Sequence, residues 1–273
     1  MSNGKLVNHV LKHIVKDGNI LGSPKMASKK LLTAVPETNI LNNGKFSILQ
    51  YNSYNSSLTE QHFLDIVPFD VRNAIISDGN HDDAFKLLQA RDPKYFQFNN
   101  IYYLVFRNYK QLNLFINSTK YERINKIRVK FKIMKGNSML DDFSKYHSTL
   151  KAANVSRDSY FKAIKDINLI KTAGNLNQMI DEAKSMGRKN LLVWNLPNHM
   201  KPHEIKDYFW FYNITDVFKL YWSNENDSLY NTLHFFKFAD EHDCIKFRHN
   251  FHGTYFNDPI GDAKSKLLIE KLS

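Results

Sequence analysis

A run of positively charged side chains lies near the middle of the sequence, where it could bind a polyanion. Residues 120–135 hold one acid, Glu122, and seven cations. The cations are Lys120, Arg123, Lys126, Arg128, Lys130, Lys132 and Lys135. Residues 126–133 alternate between basic and apolar side chains, which is typical of a half-buried strand. The pattern predicts a strand whose exposed face carries a row of cations that could contact phosphates; a merely solvated surface is the alternative.

Two short segments near the C-terminus resemble the paired central strands on which RNA-recognition motifs (RRMs) stack bases. They are residues 191–196, LLVWNL, and residues 231–238, NTLHFFKF. The second lacks the usual leading cation and glycine, and leucines replace two of the usual aromatic residues. Strand alternation places one set of side chains on the open sheet face: Leu192, Trp194, Leu233, Phe235 and Lys237, with Tyr221 from the neighbouring strand. We expect this face to contact RNA or protein, the latter being the preceding helical segment or another chain.

Five aromatic residues follow one another in the run Tyr208-Phe209-Trp210-Phe211-Tyr212. The hydrophobic pattern predicts a helix over residues 201–213, and successive residues point all around a helix. Core packing therefore accounts for only some of these rings. We expect Tyr208, Trp210 and Tyr212 to contact a protein partner or a membrane surface.

The elements that position these groups follow the order β-α-β-β-α-β in residues 190–272, which is the RRM layout. The same order can be laid over residues 46–133, with a hairpin turning at Asn99-Asn100 and the basic strand last. In this alignment residues 48–52 correspond to residues 191–195. In that copy the open sheet face adds Tyr103 to the cations. Residues 138–187 carry helical stripes and no strand pattern. The predicted fold class is α+β, with two RRM-like (ferredoxin-like) domains, the first diverged, joined by a helical spacer.

The predicted domain organisation has four parts, and charge is divided unevenly among them. They are an N-terminal helix and flexible connector (1–45), a diverged RRM-like basic domain (46–135), the helical spacer (136–189) and an RRM-like domain (190–273). Residues 1–189 hold 29 Lys and Arg against 16 Asp and Glu, a net charge of +13, whereas residues 190–273 hold 9 against 11, a net charge of −2. A polyanionic partner is therefore expected to meet the first two-thirds of the chain.

Residue types and motifs argue against catalysis and against a resident cofactor or metal. The single cysteine, Cys244, excludes a disulfide framework and a cysteine-based metal site. No phosphate-binding glycine loop, metalloprotease motif or nucleophile elbow occurs. No apolar stretch reaches the length of a membrane span. We expect a non-enzymatic chain without cofactor.

Several longer blocks resemble a yeast mitochondrial protein family, that of the translational activator specific for the mRNA of cytochrome c oxidase subunit III. The blocks are Arg91-Asp92-Pro93-Lys94-Tyr95-Phe96-Gln97-Phe98, Arg123-Ile124-Asn125-Lys126-Ile127-Arg128-Val129-Lys130, Tyr208-Phe209-Trp210-Phe211-Tyr212-Asn213-Ile214 and Leu268-Ile269-Glu270. They are peculiar to the family rather than general motifs, and the resemblance covers nearly the whole chain.

The resemblance implies a function, partners and a location. It implies a protein on the matrix side of the mitochondrial inner membrane, held there peripherally, that acts on the 5′ leader of its message. It also implies help in splicing a group I intron of the subunit I transcript, with other message-specific activators and the mitochondrial ribosome as partners. Two alternatives are a protein-interaction scaffold of degenerate RRM folds and a structural protein of the mitochondrial ribosome.

Overall fold

Two four-stranded antiparallel sheets with the same strand order form the framework of the computed structural model. The structure describes residues 47–76, 84–134, 138–170, 175–222, 232–257 and 264–272. The predicted N-terminal helix and connector lie outside these residues. Phe46–Ser273 groups into one compact unit.

Six strands and three helices make up the described residues of the first domain. Its elements are β1 (Ser47–Asn52), α1 (Glu60–Leu64), α2 (Phe69–Ile76), β2 (Lys86–Arg91), β3 (Phe98–Phe106), α3 (Tyr109–Thr119), β4 (Arg123–Ile124), β5 (Ile127–Arg128) and β6 (Phe131–Ile133). The main sheet has the order β2-β3-β1-β6, and β4 pairs with β5 in a separate small hairpin.

The second domain repeats this arrangement. Its elements are β7 (Asn190–Trp194), α7 (Pro202–Tyr208), β8 (Ile214–Trp222), β9 (Thr232–Phe238), α8 (Glu241–Phe251), β10 (Tyr255–Asn257), β11 (Lys264–Lys266) and β12 (Leu268–Lys271). The sheet order is β12-β7-β9-β8, and β10 and β11 form a small hairpin between the last helix and the last strand. Both main sheets thus have the spatial order 4-1-3-2 of an RRM, which confirms the predicted fold class.

The helical spacer comprises α4 (Ser138–Val155), α5 (Arg157–Lys165), a 3₁₀ turn (Ile167–Leu169) and α6 (Leu176–Gly187). Side-chain caps fix where its helices begin. The Ser156 hydroxyl accepts the Ser159 amide at 3.1 Å at the start of α5, and the Asn175 side chain accepts the Asn177 amide at 3.0 Å at the start of α6. Such caps satisfy backbone donors that have no partner inside the helix.

Three apolar clusters make up the core, and the spacer belongs to the one shared by both domains. One cluster lies between the helices and sheet of the first domain, and another lies between the helices and sheet of the second. The third joins the opposite faces of the two sheets to the spacer helices. It includes Ile48 and Val105 of the first domain, Leu150 and Ile180 of the spacer, and Phe235 of the second domain. The spacer is therefore a packed layer between the two sheets.

Several predicted element bounds are wrong, each for a local reason. The sequence pattern did not indicate β2, because this strand is buried on both faces and carries a bulge between Gln89 and Arg91. Asn99 and Asn100 lie inside β3 rather than in a turn, although Asn100 does have a positive φ of 59°. The actual connection between β2 and β3 is the loop 92–97, whose backbone is held by the Asp92 carboxylate.

The register of strand pairing also changes which residues of the first domain correspond to those of the second. Phe106 and Phe238 each end the third main strand three residues before the following helix, so Tyr103 corresponds to Phe235. Gln50 pairs with Tyr103 as Leu192 pairs with Phe235. Residues 48–52 therefore correspond to residues 190–194, one position away from the alignment that the sequence alone indicates.

A buried arginine joins the first domain to the last strand of the second. The Arg91 side chain is only 1% exposed and lies 2.7 Å from a Glu270 carboxylate oxygen. Its guanidinium also donates to the carbonyl oxygens of Phe96 and Lys271, both at 2.8 Å, and to the Gln89 side chain at 2.5 Å. A planar guanidinium suits this arrangement because it donates in several fixed directions at once.

We predict that replacing Arg91 by methionine lowers the free energy of unfolding by about 3–5 kcal/mol, because the substitution leaves Glu270 unpaired. Lys86→Met is the matched control: its ion pair with Asp181, at 3.0 Å, lies at the surface and is worth about 0–1 kcal/mol. Urea unfolding of the two variants compares the losses. Equal losses would contradict a special role for Arg91.

A second prediction concerns His234, which is buried in β9 with neither ring nitrogen hydrogen-bonded within the described residues. Burial, assisted by the nearby Lys219 ammonium, lowers the pKa of His234 to about 3. The unfolded chain binds a proton on this imidazole below a pH of about 6.5, whereas the folded chain does not. Stability is therefore full above that pH and falls toward pH 3 by up to about 1.4 kcal/mol per pH unit.

Denaturant unfolding between pH 7.5 and pH 5 measures this dependence. We expect His234→Leu to be less sensitive to pH than the parent chain, because the substitution removes the group that titrates. An identical pH dependence in the two proteins would show that other groups cause it.

Candidate nucleic-acid interface

The sheet face of the second domain, predicted to be open, is covered by other parts of the chain. Leu192, Leu233 and Phe235 are each no more than 1% exposed and belong to the shared cluster. The strand alternation itself is right, because Val193 and Phe236 lie in the other core, on the helix side. The prediction that this face is open is wrong at these three residues. Apolar side chains without surrounding cations are stabilised more by burial against the spacer than by exposure to water.

Phe96 of the first domain is the ring that lies against Phe235. Their centroids are 5.8 Å apart, and Phe96 also contacts Tyr146 of α4 and Tyr160 of α5 at 6.0 and 5.6 Å. Phe218 completes the group at 5.2 Å from Phe235. We call these five residues the central aromatic cluster. In it an aromatic side chain of the same protein occupies the place where an RRM stacks a base.

Phe96 reaches this position through an unusual backbone conformation. Its φ is +60°, which L-residues rarely adopt and which costs about 1–3 kcal/mol. The loop holds it there: the Phe96 amide donates to the Asp92 carbonyl at 2.8 Å, and the Phe96 carbonyl accepts from Arg91. The Tyr160 hydroxyl donates to the Lys94 carbonyl in the same loop. These contacts tie the first domain, the spacer and the second sheet together.

The other three residues of the predicted open sheet face of the second domain are not fully buried. Trp194 is half-buried against the shared cluster. Tyr221 is exposed at the sheet edge, 5.9 Å from the Tyr95 ring. The Lys237 ammonium donates to the Asn154 carbonyl at 2.7 Å, near the C-terminal end of α4, where a cation is favoured. A role for Trp194 and Tyr221 in contacting RNA or protein stays a prediction.

In the first domain, Tyr103 sits at the position that corresponds to Phe235 and is only half-buried. Burial and the nearby Asp142 carboxylate raise the pKa of Tyr103. One sheet neighbour, Gln50, is half-buried, and Lys132, which pairs with Gln50, is exposed. This end of the first sheet is thus less covered than the second sheet and carries a cation beside the tyrosine.

The basic run is not one continuous strand, as the alternation predicts, but a tight hairpin followed by a short strand. Asn125 and Lys126 have φ values of 51° and 69°, and this pair of positive φ values turns the chain between β4 and β5. The hairpin leaves Ile127 exposed, so the prediction that all the apolar residues of this run are buried is wrong for Ile127. Ile133 pairs with the buried Leu49 on the core side of the sheet but is 39% exposed in the edge strand β6. Val129 does lie in the first-domain core, and Phe131 packs against it.

The cations of this run are exposed and lack acidic partners within the described part of the chain. We define the cationic edge as the six cations of the run that the structure describes: Lys120, Arg123, Lys126, Arg128, Lys130 and Lys132. No ion pair joins any of the six to an acid among the described residues. Lys135 lies outside the described residues. The arrangement can bind several phosphates at once, because its charge is not already neutralised.

The aromatic run does not lie within a helix. Helix α7 ends at Tyr208, and the remaining residues form the turn into β8. Phe209 is buried in the second core, and the Tyr212 hydroxyl accepts from the Asn250 amide at 2.8 Å. Trp210 and Phe211 are 68% and 73% exposed and stack on each other with centroids 3.6 Å apart. Tyr208 is also exposed, so the run presents an aromatic surface, and its predicted partner contact stays a prediction.

Two features of the site were missed by sequence reasoning. Tyr121 was not singled out, although it is the only aromatic residue between the first two cations of the run; the structure brings Lys120 and Arg128 to its ring. The contribution of Phe96 was also missed, because only the tertiary fold brings residues 96 and 235 together. A basic-aromatic juxtaposition in the sequence was the available signal for Tyr121.

Comparison with known proteins finds relatives along the entire chain. The family profile described as "Protein PET54 N-terminal domain" matches residues 45–154. Protein PET54 of Saccharomyces cerevisiae is 35% identical over 294 aligned residues, covering 100% of this chain and 99% of the relative. Protein PET54 of Saccharomyces bayanus is 30% identical, covering 98% of each chain.

Among solved structures, similarities are found to proteins with RRM domains. The third RRM domain of Mip6 is 22% identical, covers 31% of this chain and 94% of that one, and gives a TM-score of 0.24. RNA recognition domains 1 and 2 of Drosophila melanogaster Sex-lethal are 10% identical, cover 82% of this chain and 99% of that one, and give a TM-score of 0.23.

We predict that Phe235→Ala lowers the free energy of unfolding by about 3–5 kcal/mol, because it opens a cavity in the central aromatic cluster. Tyr221→Ala, at an exposed position of the same sheet, is the control and should cost far less. Thermal unfolding of both variants tests this. If Phe235→Ala leaves stability unchanged, the face is not covered in solution.

Proposed function

Because this chain belongs to the PET54 family, we propose that it is a non-enzymatic RNA-binding adaptor that activates translation of cytochrome c oxidase subunit III mRNA in mitochondria. It acts through the 5′ leader of that message. Full-length similarity to the curated relatives and the family resemblance of the sequence blocks support this proposal. Since binding RNA requires no bond making or breaking, the residues need only neutralise phosphates and contact bases.

The observation that carries the proposal is the cationic edge. Its six exposed cations lack acidic partners in the described residues, so they can replace the counterions condensed on RNA phosphates, and the release of those counterions favours binding. Three of them, Arg128, Lys130 and Lys132, follow one another at alternate positions through the end of the hairpin and into β6. This spacing puts three exposed cations within five consecutive residues, where they can meet successive phosphates of one strand.

Phosphate binding of this kind does not depend on base sequence, so the same edge serves more than one RNA. We propose that it also contacts the group I intron of the cytochrome c oxidase subunit I transcript and assists its splicing. The half-buried Tyr103 and its neighbour Gln50, next to Lys132, are placed to contact a nucleotide at the end of the first sheet.

The second domain has a different role in this proposal. It carries a net charge of −2 and its sheet face is covered, so it neither attracts phosphates strongly nor offers Phe235 for stacking. The exposed aromatic surface at Tyr208, Trp210 and Phe211 suits protein contacts, in which such residues are enriched. We propose that this domain docks the other message-specific activators and the mitochondrial ribosome.

The proposed location is the matrix side of the mitochondrial inner membrane, with peripheral attachment. No helix within the described ranges is both long and apolar enough to cross a bilayer. The family resemblance supports the location.

A second candidate function is a protein-interaction scaffold that has lost RNA binding. The covered face of the second domain favours it, because that face is the usual RNA site of the fold. A structural role on the mitochondrial ribosome is a further alternative, and it predicts stoichiometric retention on a ribosomal subunit after a high-salt wash. Ultraviolet crosslinking of RNA to the purified full chain separates the first proposal from the scaffold.

We predict that the triple variant Arg128→Glu, Lys130→Glu, Lys132→Glu weakens binding to the leader RNA and makes its salt dependence shallower. Losing three phosphate contacts should reduce the slope of log affinity against log salt by about 2 on a single strand. Filter binding at several salt concentrations between about 50 and 200 mM measures this slope.

The matched control reverses three exposed cations outside the cationic edge, Lys162, Lys165 and Lys201, with the same change in net charge. This control should retain most of the binding. If both triple variants lose binding equally, only overall charge matters, and if neither does, the assignment of the edge fails.

A further inference from the structure

One face of the β4–β5 hairpin combines a tyrosine with three cations. Arg123 pairs directly with Arg128, and the Val129 amide donates to the Glu122 carbonyl at 3.1 Å, which extends the ladder by one residue pair. Tyr121, in the turn before β4, lies beside this arginine pair, because the Arg128 guanidinium contacts its ring, and the exposed Lys130 follows Arg128 two residues later. We call these four residues the hairpin face. Ile124, on the opposite side, is buried in the first-domain core.

The two arginines of the hairpin face are placed where like charges repel. Residues directly opposite in an antiparallel pair have their Cβ atoms about 4.5–5.5 Å apart, and like charges there are destabilising. Both side chains are exposed, and neither forms an ion pair with an acid in the described parts of the chain. An anion between them would remove the repulsion, and a phosphate can accept from both guanidinium groups.

Tyr121 supplies the second recognition element. It is 72% exposed, the Arg128 guanidinium carbon lies 5.3 Å from its ring centroid, and the Lys120 ammonium nitrogen lies 5.5 Å from the same centroid. In such cation–π contacts the cation is attracted to the face of the ring, which favours one orientation of the exposed side chain. A flat ring beside a guanidinium plane is the surface on which an unpaired base stacks.

We propose that the hairpin face is a binding site for single-stranded RNA, in which Tyr121 stacks on one base while Arg123 and Arg128 hold the adjacent phosphates. The inference rests on the proposed function and refines it: the site lies on a hairpin outside the RRM sheet, and its ligand is an unpaired segment. A duplex offers phosphates to the arginines, but its bases are stacked on each other and do not reach the tyrosine.

The test compares two RNA probes with the full-length chain: a uridine-rich single strand, and a fully paired duplex of the same length. Tyr121→Leu should lower affinity for the single strand about 5- to 150-fold, the range expected for one stacked base. It should leave duplex affinity and the salt slope unchanged, because no charge is lost. Tyr121→Phe should retain single-strand binding, since the phenyl ring still stacks.

Two further variants make the outcome specific. Tyr54→Leu, which removes a 92% exposed tyrosine elsewhere in the first domain, should bind both probes as the parent does. Arg123→Gln with Arg128→Gln should weaken binding of both probes and reduce the single-strand salt slope by about 1.4. Thermal unfolding confirms that each variant folds, and the exposure of Tyr121 makes its replacement tolerable.

Three results would overturn the inference. Parent-like single-strand binding by Tyr121→Leu would remove the stacking role while leaving the proposed RNA-binding function intact. An equal loss on both probes would show that Tyr121 supports the hairpin and does not read an unpaired base. If the parent chain binds neither probe, the proposed function fails together with the site.

Discussion

The arrangement of this protein depends on one packing event, the burial of the second sheet beneath Phe96 and the spacer helices. Arg91 holds the loop that presents Phe96, and the same guanidinium pairs with Glu270 in the last strand. Burial of the central aromatic cluster offsets the cost of a positive φ at Phe96. Two RRM-like domains that could each have been independent are thereby fixed in one unit, with the customary base-stacking surface of the second in its interior.

This packing has a direct consequence for where RNA can bind. Under the proposed function, with the second sheet covered, RNA would contact surfaces that remain in solvent, and the cationic edge of the first domain is such a surface. The fold thus separates two tasks that an ordinary RRM combines on one face. Sheet aromatics stabilise the protein, while a peripheral hairpin carries the charge. The net negative charge of the second domain agrees with the proposed division, because it weakens long-range attraction to phosphates.

How much the sequence predicts depends on whether the signal is local. The order of the main elements in the second domain was predictable, because short apolar runs mark its central strands and helical patterns separate them, and so was the basic run. The small β10–β11 hairpin was not predicted. The hairpin in the basic run was not predictable. Its residues alternate between basic and apolar as in a continuous strand, and this pattern does not indicate the positive φ values at Asn125 and Lys126. The covering of Phe235 could not be derived either, since nothing near residue 235 indicates that Phe96 will lie against it.

The contact between Arg91 and Glu270 joins residues 179 positions apart in the chain. The first domain can collapse while the ribosome is still translating downstream codons, but its long-range partner emerges only at the end of synthesis. The other contacts of this loop are made earlier, because Phe96 packs on Tyr146, Tyr160 and Phe235, which all precede Glu270 in the chain. A chain that lacks the last strand therefore leaves the buried Arg91 guanidinium without its carboxylate partner, and the two ends of the fold lose the ion pair that joins them.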